Sequence, residues 1–304
     1  MKYIVTGGNG FIGSNLVDEL IDLGHEVIVI DNHSAESNEE FFFNDKAENY
    51  NYDICDYDKI LPLFEGVDVI FHLAAEARIQ PTLKDPILAA KSNTVGTCTI
   101  LQCAREKGVK RVVYSSTSSS YGLKNEPPLR EDMRNDCLNP YSVTKAAGED
   151  LCKMYTNLFG LETVVFRYFN VYGERHPVKG QYAPVIGIFI RQKNDNEPMT
   201  IVGDGEQRRD FTNVKDVVKA NILAADLDNK DVVGETINVG NGDNHSINEI
   251  ADMVGGERKH LPERKGEART TLADVSKIKR LLNFVPSIKV SEWIERNKVL
   301  YLSK

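Results

Sequence analysis

Residues 1–31, MKYIVTGGNGFIGSNLVDELIDLGHEVIVID, pass from a short apolar run through a glycine-rich loop and an amphipathic segment to a second apolar run. The runs Lys2 to Thr6 and Glu26 to Ile30 are rich in β-branched residues, as buried strands are. The segment Phe11 to Leu23 has helical periodicity, and Gly24 stands where a glycine closes a helix. This unit predicts a strand, a helix and a parallel strand, the beginning of an α/β fold.

The loop of this unit has the glycine spacing of a dinucleotide-binding site. Gly7 permits a tight turn, Gly10 lets the backbone approach a pyrophosphate, and Gly13 allows the helix to pack closely on the strand. Asp31 follows at the end of the second strand, where a carboxylate accepts hydrogen bonds from the adenosine ribose. Because a carboxylate there would repel a 2′-phosphate, the sequence predicts NAD and not NADP as the cofactor.

The alternation of strands and helices continues through residue 173. Further strands are predicted at Val67 to Leu73, Arg111 to Ser115 and Thr163 to Phe166. Helical patterns at Pro86 to Lys107 and Pro140 to Phe159 separate them. Five strands joined by right-handed crossovers predict a doubly wound parallel sheet, the Rossmann architecture.

The remaining chain predicts a smaller C-terminal α/β lobe. Residues 1–173 are expected to form the NAD-binding domain, and residues 174–304 a domain that binds the substrate. Residues 211–240 are expected to return to the first domain, with Glu235 to Val239 as a further strand of its sheet. Helical patterns complete the lobe at Ile247 to Val254, Val275 to Leu282 and Val290 to Leu300.

The composition limits the kinds of partner. The 304 residues are 41% apolar and 27% charged, which suits a sizeable core, and the net charge is -8. An acidic protein is a poor candidate for binding nucleic acid or an anionic membrane. No apolar run approaches the roughly 18 residues of a membrane span. The five cysteines form no CxxC pair, so we expect a soluble, cytoplasmic protein without disulfides or a metal site.

A second set of polar residues predicts acid–base chemistry. Tyr141 and Lys145 share one face at the start of the helix that Pro140 opens. Residues 115–122, SSTSSSYG, follow the preceding strand at the sheet edge where ligands bind in such folds. A free tyrosine has a pKa of about 10, and a nearby Lys145 ammonium would favour the phenolate that a general base requires.

The order of motifs resembles that of the extended short-chain dehydrogenases/reductases, in their NAD-dependent nucleotide-sugar epimerase and dehydratase group, and is most similar to that of UDP-sugar 4-epimerases. The resemblance runs nearly from end to end. Besides the glycine loop, the serine-rich loop and the YxxxK motif, its motifs are HLAA at 72–75, NTVG at 93–96, RYFNVYG at 167–173, GDGEQRRDF at 203–211 and RKGE at 264–267.

The resemblance implies roles for individual residues. Thr117 and Tyr141 would hold the sugar O4, Tyr141 would take its proton, and Lys145 would bind the nicotinamide ribose. NAD would accept hydride from C4 and return it to the other face of the 4-keto sugar. The residues expected to contact NAD are Gly7, Gly10, Phe11, Ile12, Gly13, Asp31, Asn32, Asp53, Ile54, Leu73, Ala74, Ala75, Asn93, Ser115, Tyr141, Lys145 and Tyr168. Those expected to contact the UDP-sugar are Thr117, Asn170, Arg209, Arg264, Glu267 and Thr271.

Two positions bear on the choice among related reactions. Ser119 stands where 4,6-dehydratases and UDP-glucuronate decarboxylases of the group carry an acidic residue, and a hydroxyl cannot shuttle protons as a carboxylate does. Thr271 stands where epimerases restricted to unacetylated hexoses carry a tyrosine. UDP-GlcNAc and UDP-GalNAc are therefore expected substrates, with or without UDP-Glc and UDP-Gal.

Other readings of the sequence stay open. They are a UDP-glucuronate 4-epimerase or decarboxylase, a nucleotide-sugar 4,6-dehydratase, and a catalytically inactive NAD-binding protein on the same fold. The resemblance also implies a homodimer, formed through the helices predicted at Pro86 to Lys107 and Pro140 to Phe159.

Overall fold

The computed structural model describes residues 1–35, 40–178, 183–263 and 268–297. Its first elements are β1 (Lys2–Thr6), α1 (Phe11–Asp22), β2 (Glu26–Ile30), β3 (Glu48–Tyr50), α2 (Tyr57–Ile60), β4 (Val69–His72), α3 (Ile79–Lys84), α4 (Pro86–Ala90), α5 (Thr97–Glu106), β5 (Arg111–Thr117), α6 (Pro140–Phe159) and β6 (Glu162–Tyr168). The later elements are β7 (Val171–Tyr172), α7 (Val185–Asn194), β8 (Met199–Val202), β9 (Arg208–Arg209), β10 (Thr212–Asn213), α8 (Val214–Ala224), β11 (Thr236–Val239), β12 (His245–Ser246), α9 (Ile247–Val254), β13 (Arg258–Leu261), α10 (Ser276–Leu282) and α11 (Val290–Asn297).

Seven parallel strands form the main sheet, in the order β11-β6-β5-β4-β1-β2-β3. Two apolar clusters cover its faces, one around Val5 and Phe166 and the other around Ile4 and Tyr114. Burial on both faces explains the nearly continuous apolar strands. The predicted doubly wound α/β fold is confirmed, and all five predicted strands of its first part are present.

The chain order reverses beside β1, which pairs with β4 on one side and β2 on the other. Ligands bind at such a switch point in open α/β sheets, outside the carboxyl ends of the strands. The strand β11 pairs with β6, so the run predicted at Glu235 to Val239 does join the sheet. The edge strand β3 was not predicted, because its three residues, Glu48 to Tyr50, are polar and poorly buried.

Local sequence accounts for the long helix α6. Asn139 accepts a hydrogen bond from the Ser142 N–H at 2.9 Å, and the Ser142 hydroxyl accepts one in return from the Asn139 N–H. Pro140 occupies the first helical position, and Gly160 ends the helix with a φ of +73°. These are the start and stop signals that allow a helix to be located from sequence.

The helix predicted over Pro86 to Lys107 has an interruption at its centre. Between α4 and α5, residues Lys91–Gly96 form a wider turn with the hydrogen-bond spacing of a π-helix. Such bulges often occur at functional sites. This one contains Asn93, whose side chain is completely buried.

The C-terminal part of the chain has its own apolar cluster, in which Phe189, Ile201 and Ile250 pack around Trp293. In this part of the chain, β8 pairs with β13 and β9 pairs with β12, each pair forming a small two-stranded sheet. Within the part of the chain that the structure describes, no helix is both long enough and apolar enough to cross a membrane.

Candidate active site

A cleft of about 600 Å³ opens at the switch point. The loops after β1, β2, β4, β5 and β6 and the first turns of α6 form its walls. Most of the predicted site residues line it: Gly7, Gly10, Phe11, Ile12, Gly13, Asp31, Asn32, Asp53, Ile54, Leu73, Ala74, Ala75, Ser115, Thr117, Tyr141, Lys145, Tyr168 and Asn170. Residues far apart in sequence are thus brought together around one cavity.

The glycine loop leaves space for a ligand where side chains would fill it. Gly7 has a φ of +67°, and a Cβ there would lie 2.8 Å from the Ala74 nitrogen. A Cβ on Gly13 would lie 2.2 Å from the Gly7 carbonyl oxygen. Gly10 precedes α1, and no side chain caps this helix, so the N–H groups of its first turn are available at the cleft. The arrangement fits a dinucleotide diphosphate.

The carboxylate of Asp31 lies at the end of β2, as expected. One of its oxygens accepts from the Asn9 N–H at 3.1 Å and the other from the His33 N–H at 2.9 Å. Each carboxylate oxygen keeps a second lone pair, so both can still accept from a ribose hydroxyl. Asp53 and Ile54 follow along the same wall, which suits the adenosine end of NAD.

A chain of buried hydrogen bonds supports the loop that follows β4. His72 lies between the hydroxyls of Thr6 at 2.7 Å and Thr97 at 3.0 Å. Burial lowers the pKa of His72 to about 3, so the ring is neutral. Thr6 also accepts a hydrogen bond from the Ala74 N–H. His72 is therefore a structural residue beneath the cleft.

Asn93 does not line the cleft, although contact with NAD was expected. Its amide accepts from the Glu76 N–H at 2.8 Å, donates to the Glu76 carbonyl at 3.1 Å and donates to the Thr144 hydroxyl at 2.9 Å. Because the buried amide bonds to Glu76 in the loop after β4 and to Thr144 in α6, Asn93 joins that loop to α6.

The reacting groups predicted from the YxxxK motif meet at the other end of the cleft. Thr117 and Tyr141 both line this end of the cleft, and the Thr117 hydroxyl accepts from the Ser119 N–H at 3.1 Å. Burial raises the pKa of Tyr141, while Thr117 and the positive charge of Arg78 lower it. Ser115 bonds to the Tyr168 hydroxyl at 3.0 Å and completes this wall.

Lys145 is buried, with its ammonium 4.2 Å from the centre of the Tyr114 ring. Burial lowers its pKa to about 7, and the charge of Glu149 opposes this shift. The sequence predicted that Lys145 supplies the positive charge beside the Tyr141 phenol. That role of Lys145 stays a prediction, and the structure adds a second cation, because the positive charge of Arg78 lowers the pKa of Tyr141.

Arg78 is a cleft residue that the sequence motifs do not predict. It immediately precedes α3 and lines the cleft between Ala77 and Ile79. The available signal was a lone cation in the segment that follows the buried strand β4 and its Ala74-Ala75 pair, at the carboxyl edge of the sheet.

The predicted UDP-sugar contacts are less completely assembled. Asn170 lines the cleft and donates to the Asp210 carbonyl at 2.8 Å. Arg209 and Thr271 do not line it: Arg209 donates to the Arg208 carbonyl at 3.0 Å, and the Thr271 hydroxyl accepts from the Asp210 N–H at 3.3 Å. The other two predicted contacts, Arg264 and Glu267, lie outside the described residues.

Comparison with known proteins places the chain in a family. Residues 3–240 match the model of the NAD dependent epimerase/dehydratase family. A putative UDP-glucose 4-epimerase of Methanocaldococcus jannaschii is 37% identical over 301 residues, with 96% of each chain covered. A UDP-glucuronate 4-epimerase of Thermodesulfobacterium geofontis is 35% identical over 97% of this chain and 94% of its own.

Among solved structures, a UDP-N-acetylglucosamine 4-epimerase from Methanobrevibacter ruminantium M1, in complex with UDP-N-acetylmuramic acid, superposes with a TM-score of 0.92. It is 33% identical, and the match covers 99% of this chain and 98% of that one. With a family model matching well over half of the chain and relatives of this identity along nearly its full length, the protein belongs to the NAD-dependent epimerase/dehydratase family, and its cofactor is NAD.

Proposed function

We propose that the protein is an NAD-dependent UDP-sugar 4-epimerase, which inverts C4 through a transient 4-keto sugar. The observation that carries the proposal is the pair of hydroxyls, Thr117 and Tyr141, at the end of the cleft opposite the Asp31 carboxylate. Two such groups can hold one sugar hydroxyl between them and exchange its proton.

The protein's own residues account for the proton movement. Thr117 positions O4 of the sugar, and Tyr141 takes the O4 proton as C4 is oxidised and returns it as C4 is reduced. The Tyr141 phenol needs positive charge to act as a base, since burial alone raises its pKa. Arg78 supplies part of that charge, and Lys145 binds the nicotinamide ribose.

NAD would bind with its diphosphate at Gly10 to Ile12 and its adenosine at Asp31 and Asp53. Bound there, it would supply the hydride acceptor for C4 and a nicotinamide cation beside Tyr141. We propose the corresponding division of the chain: residues 1–173 with 211–240 hold the cofactor, and the rest of residues 174–304 holds the UDP-sugar through Arg209, Arg264 and Glu267, together with Asn170. Asn170 lies at the boundary between the two.

Epimerisation is favoured over dehydration and decarboxylation by the serine loop. Ser118 and Ser119 line the cleft beside Thr117, and neither is a carboxylate. A hydroxyl with an ordinary pKa is a poor acid and base at neutral pH. The reaction then stops at the return of hydride and proton to C4.

From the small side chain of Thr271 we predict that the enzyme accepts 2-acetamido sugars. Thr271 contacts the backbone of Asp210, whose carbonyl accepts from Asn170, so a larger side chain at 271 would press on that cleft residue. We expect Thr271→Tyr to lower kcat/KM for UDP-GlcNAc relative to UDP-Glc. An unchanged ratio would contradict this part of the proposal.

We also propose a homodimer that packs through α4, α5 and α6. Apolar side chains are exposed along this surface, and they are Ile87, Leu88, Val95, Val143, Met154, Leu158 and Phe159. Burial of such a patch against a second copy would remove it from water. Sedimentation of the protein and of Ile87→Lys tests this: a dimer that the substitution dissociates is expected, and a wild-type monomer would contradict it.

The main experiment follows C4 epimers by proton NMR. The protein is incubated with catalytic NAD and, separately, UDP-Glc, UDP-GlcNAc and UDP-glucuronate. We expect the C4 epimer without accumulation of a reduced cofactor, and a loss of about 10³-fold in rate in Tyr141→Phe. Tyr57→Phe is the matched control, because the Tyr57 hydroxyl bonds to Glu106 away from the cleft.

The alternative products are distinct. A 4-keto-6-deoxy sugar would indicate a dehydratase, and carbon dioxide with a pentose product would indicate a decarboxylase. Binding of NAD without turnover of any sugar nucleotide would favour an inactive binding protein.

A further inference from the structure

The guanidinium of Arg78 lies in the cleft without a protein partner. It is partly buried there, and burial lowers its pKa. Among the described residues it makes no hydrogen bond and no ion pair, and only the Arg78 backbone is bonded, to the Thr82 N–H. An arginine remains protonated in proteins, so this group is a partly desolvated and unneutralised cation.

Such a cation is unfavourable unless an anion joins it. Removing a charged group from water costs free energy that an opposite charge must offset. Elsewhere in the fold a buried arginine does have such an opposite charge, because Arg167 lies 2.6 Å from Glu149 in a buried pair. The absence of such a partner for Arg78 among the described residues points to an anionic group of the ligand.

The bound molecules offer three anionic groups: the diphosphate of NAD at Gly10 to Ile12, the diphosphate of the nucleotide sugar and, in some sugars, a carboxylate. The position of Arg78 favours one of them. The helix α3, which Arg78 precedes, packs against α6, and the charge of Arg78 acts on Tyr141 in the first turn of α6. Arg78 is therefore at the reacting end, beside the group proposed to hold O4.

The geometry of a hexose then favours the carboxylate. The diphosphate is attached at C1, on the opposite side of the ring from C4. C6 is attached to C5, the direct neighbour of C4, so a C6 carboxylate lies beside O4. A guanidinium presents paired N–H donors that match a carboxylate with two parallel hydrogen bonds.

We propose that Arg78 is a specificity-determining residue that binds the C6 carboxylate of a hexuronic acid nucleotide sugar. The enzyme then prefers acidic over neutral UDP-sugars. This inference rests on the proposed 4-epimerase function, because placing O4 at Tyr141 is what places C6 near Arg78.

The test compares two substrates with the same diphosphate. The ratio of kcat/KM for UDP-glucuronate to that for UDP-glucose is measured in wild type, Arg78→Gln and Arg78→Lys. Loss of charged hydrogen bonds should lower the ratio roughly 10- to 100-fold in Arg78→Gln, chiefly through KM for the uronate. Arg78→Lys should recover part of it. Lys84→Gln, which removes an exposed charge from the same helix outside the cleft, should leave the ratio unchanged.

A ratio that Arg78→Gln leaves intact overturns the inference while the epimerase function stands. Equal losses for both sugars also overturn it, since they assign Arg78 to the diphosphate or to Tyr141 alone. Calorimetric binding of UDP-glucuronate and UDP-glucose to the NAD-loaded protein gives a readout without turnover. If wild type epimerises neither of these sugars nor UDP-GlcNAc, the proposed function fails, and this binding preference decides the inference: its loss in Arg78→Gln supports it, and its persistence overturns it.

Discussion

The two sides of the reacting end differ in how they handle buried charge. On one side, which we call the supporting wall, β5, β6 and α6 hold Glu149 and Arg167 as a pair with contacts of 2.6 and 2.9 Å. The Ser116 hydroxyl donates to the same carboxylate. On the other side is the loop wall formed by residues 74–80, where Arg78 forms no ion pair with another described residue.

The difference suggests that the supporting wall positions the reacting hydroxyls and that the loop wall recognises the ligand by its charge. A buried pair neutralises itself and fixes the elements that carry it, so the supporting wall presents hydroxyls at defined places. A cation without a protein partner keeps its charge for a ligand. Each of the following predictions tests whether one wall is mainly structural and the other mainly electrostatic.

The largest effect is expected on the supporting wall, from Glu149→Gln. Removing one partner leaves Arg167 as an uncompensated buried charge, which should lower the free energy of unfolding by about 3 to 5 kcal/mol. Urea denaturation measures it. Glu292→Gln is the control, since Glu292 pairs with Arg296 at the surface at 3.8 Å and should cost under about 1 kcal/mol. Similar costs for the two variants would remove the contrast between a buried and a surface pair.

A smaller effect is expected where the two walls are joined, from Asn93→Ala. The variant leaves the Glu76 N–H and carbonyl without their partner, at a cost of roughly 2 kcal/mol in the free energy of unfolding. Turnover should also fall, because the loop wall loses its attachment to α6. Asn248→Ala, which removes surface hydrogen bonds to Asp204 and Glu206, should change neither strongly. Normal activity in Asn93→Ala would show that the loop wall holds its position without this link.

Acid should weaken the fold beneath the cleft through His72. Its pKa is about 3 in the folded protein, against about 6.5 when unfolded, so the unfolded chain binds the extra proton below pH 6.5. Stability is therefore full above that pH and falls as the pH drops. Between pH 7 and 5 the free energy of unfolding should fall by about 2 kcal/mol more in wild type than in His72→Asn. Equal pH slopes would mean that folding leaves the pKa of His72 at its unfolded value and would contradict this prediction.

The smallest effect is expected in the pH profile of Arg78→Gln. The positive charge of Arg78 lowers the pKa of Tyr141, so its removal should shift the rising limb of kcat against pH toward alkaline values. The shift should be the same with UDP-glucose and UDP-glucuronate, since both present O4 to Tyr141. A profile identical to that of wild type would contradict the electrostatic role of the loop wall.

Local signals explain why much of the cofactor side could be predicted. Gly7 is favoured by its positive φ and Gly13 by backbone contacts within one strand–loop–helix unit, and Asp31 directly follows the next strand. The helix start at Asn139 and Pro140 was visible for the same reason. The substrate side depends on contacts between distant segments, and there Thr271 and Arg209 are not among the residues that line the cleft, so their contacts with the UDP-sugar stay predictions.

The sequence by itself determined the doubly wound sheet, the position of the dinucleotide site and the pairing of Tyr141 with Thr117 at one sheet edge. These follow from periodicity, caps and the rule that parallel strands end together. Only the tertiary structure brought Arg78 into the cleft where its charge acts on Tyr141, and only it decided that Asn93 braces the loop instead of lining the cleft. Both results depend on how α3, the turn at 91–96 and α6 pack together, and local sequence patterns do not specify contacts between segments that are distant along the chain.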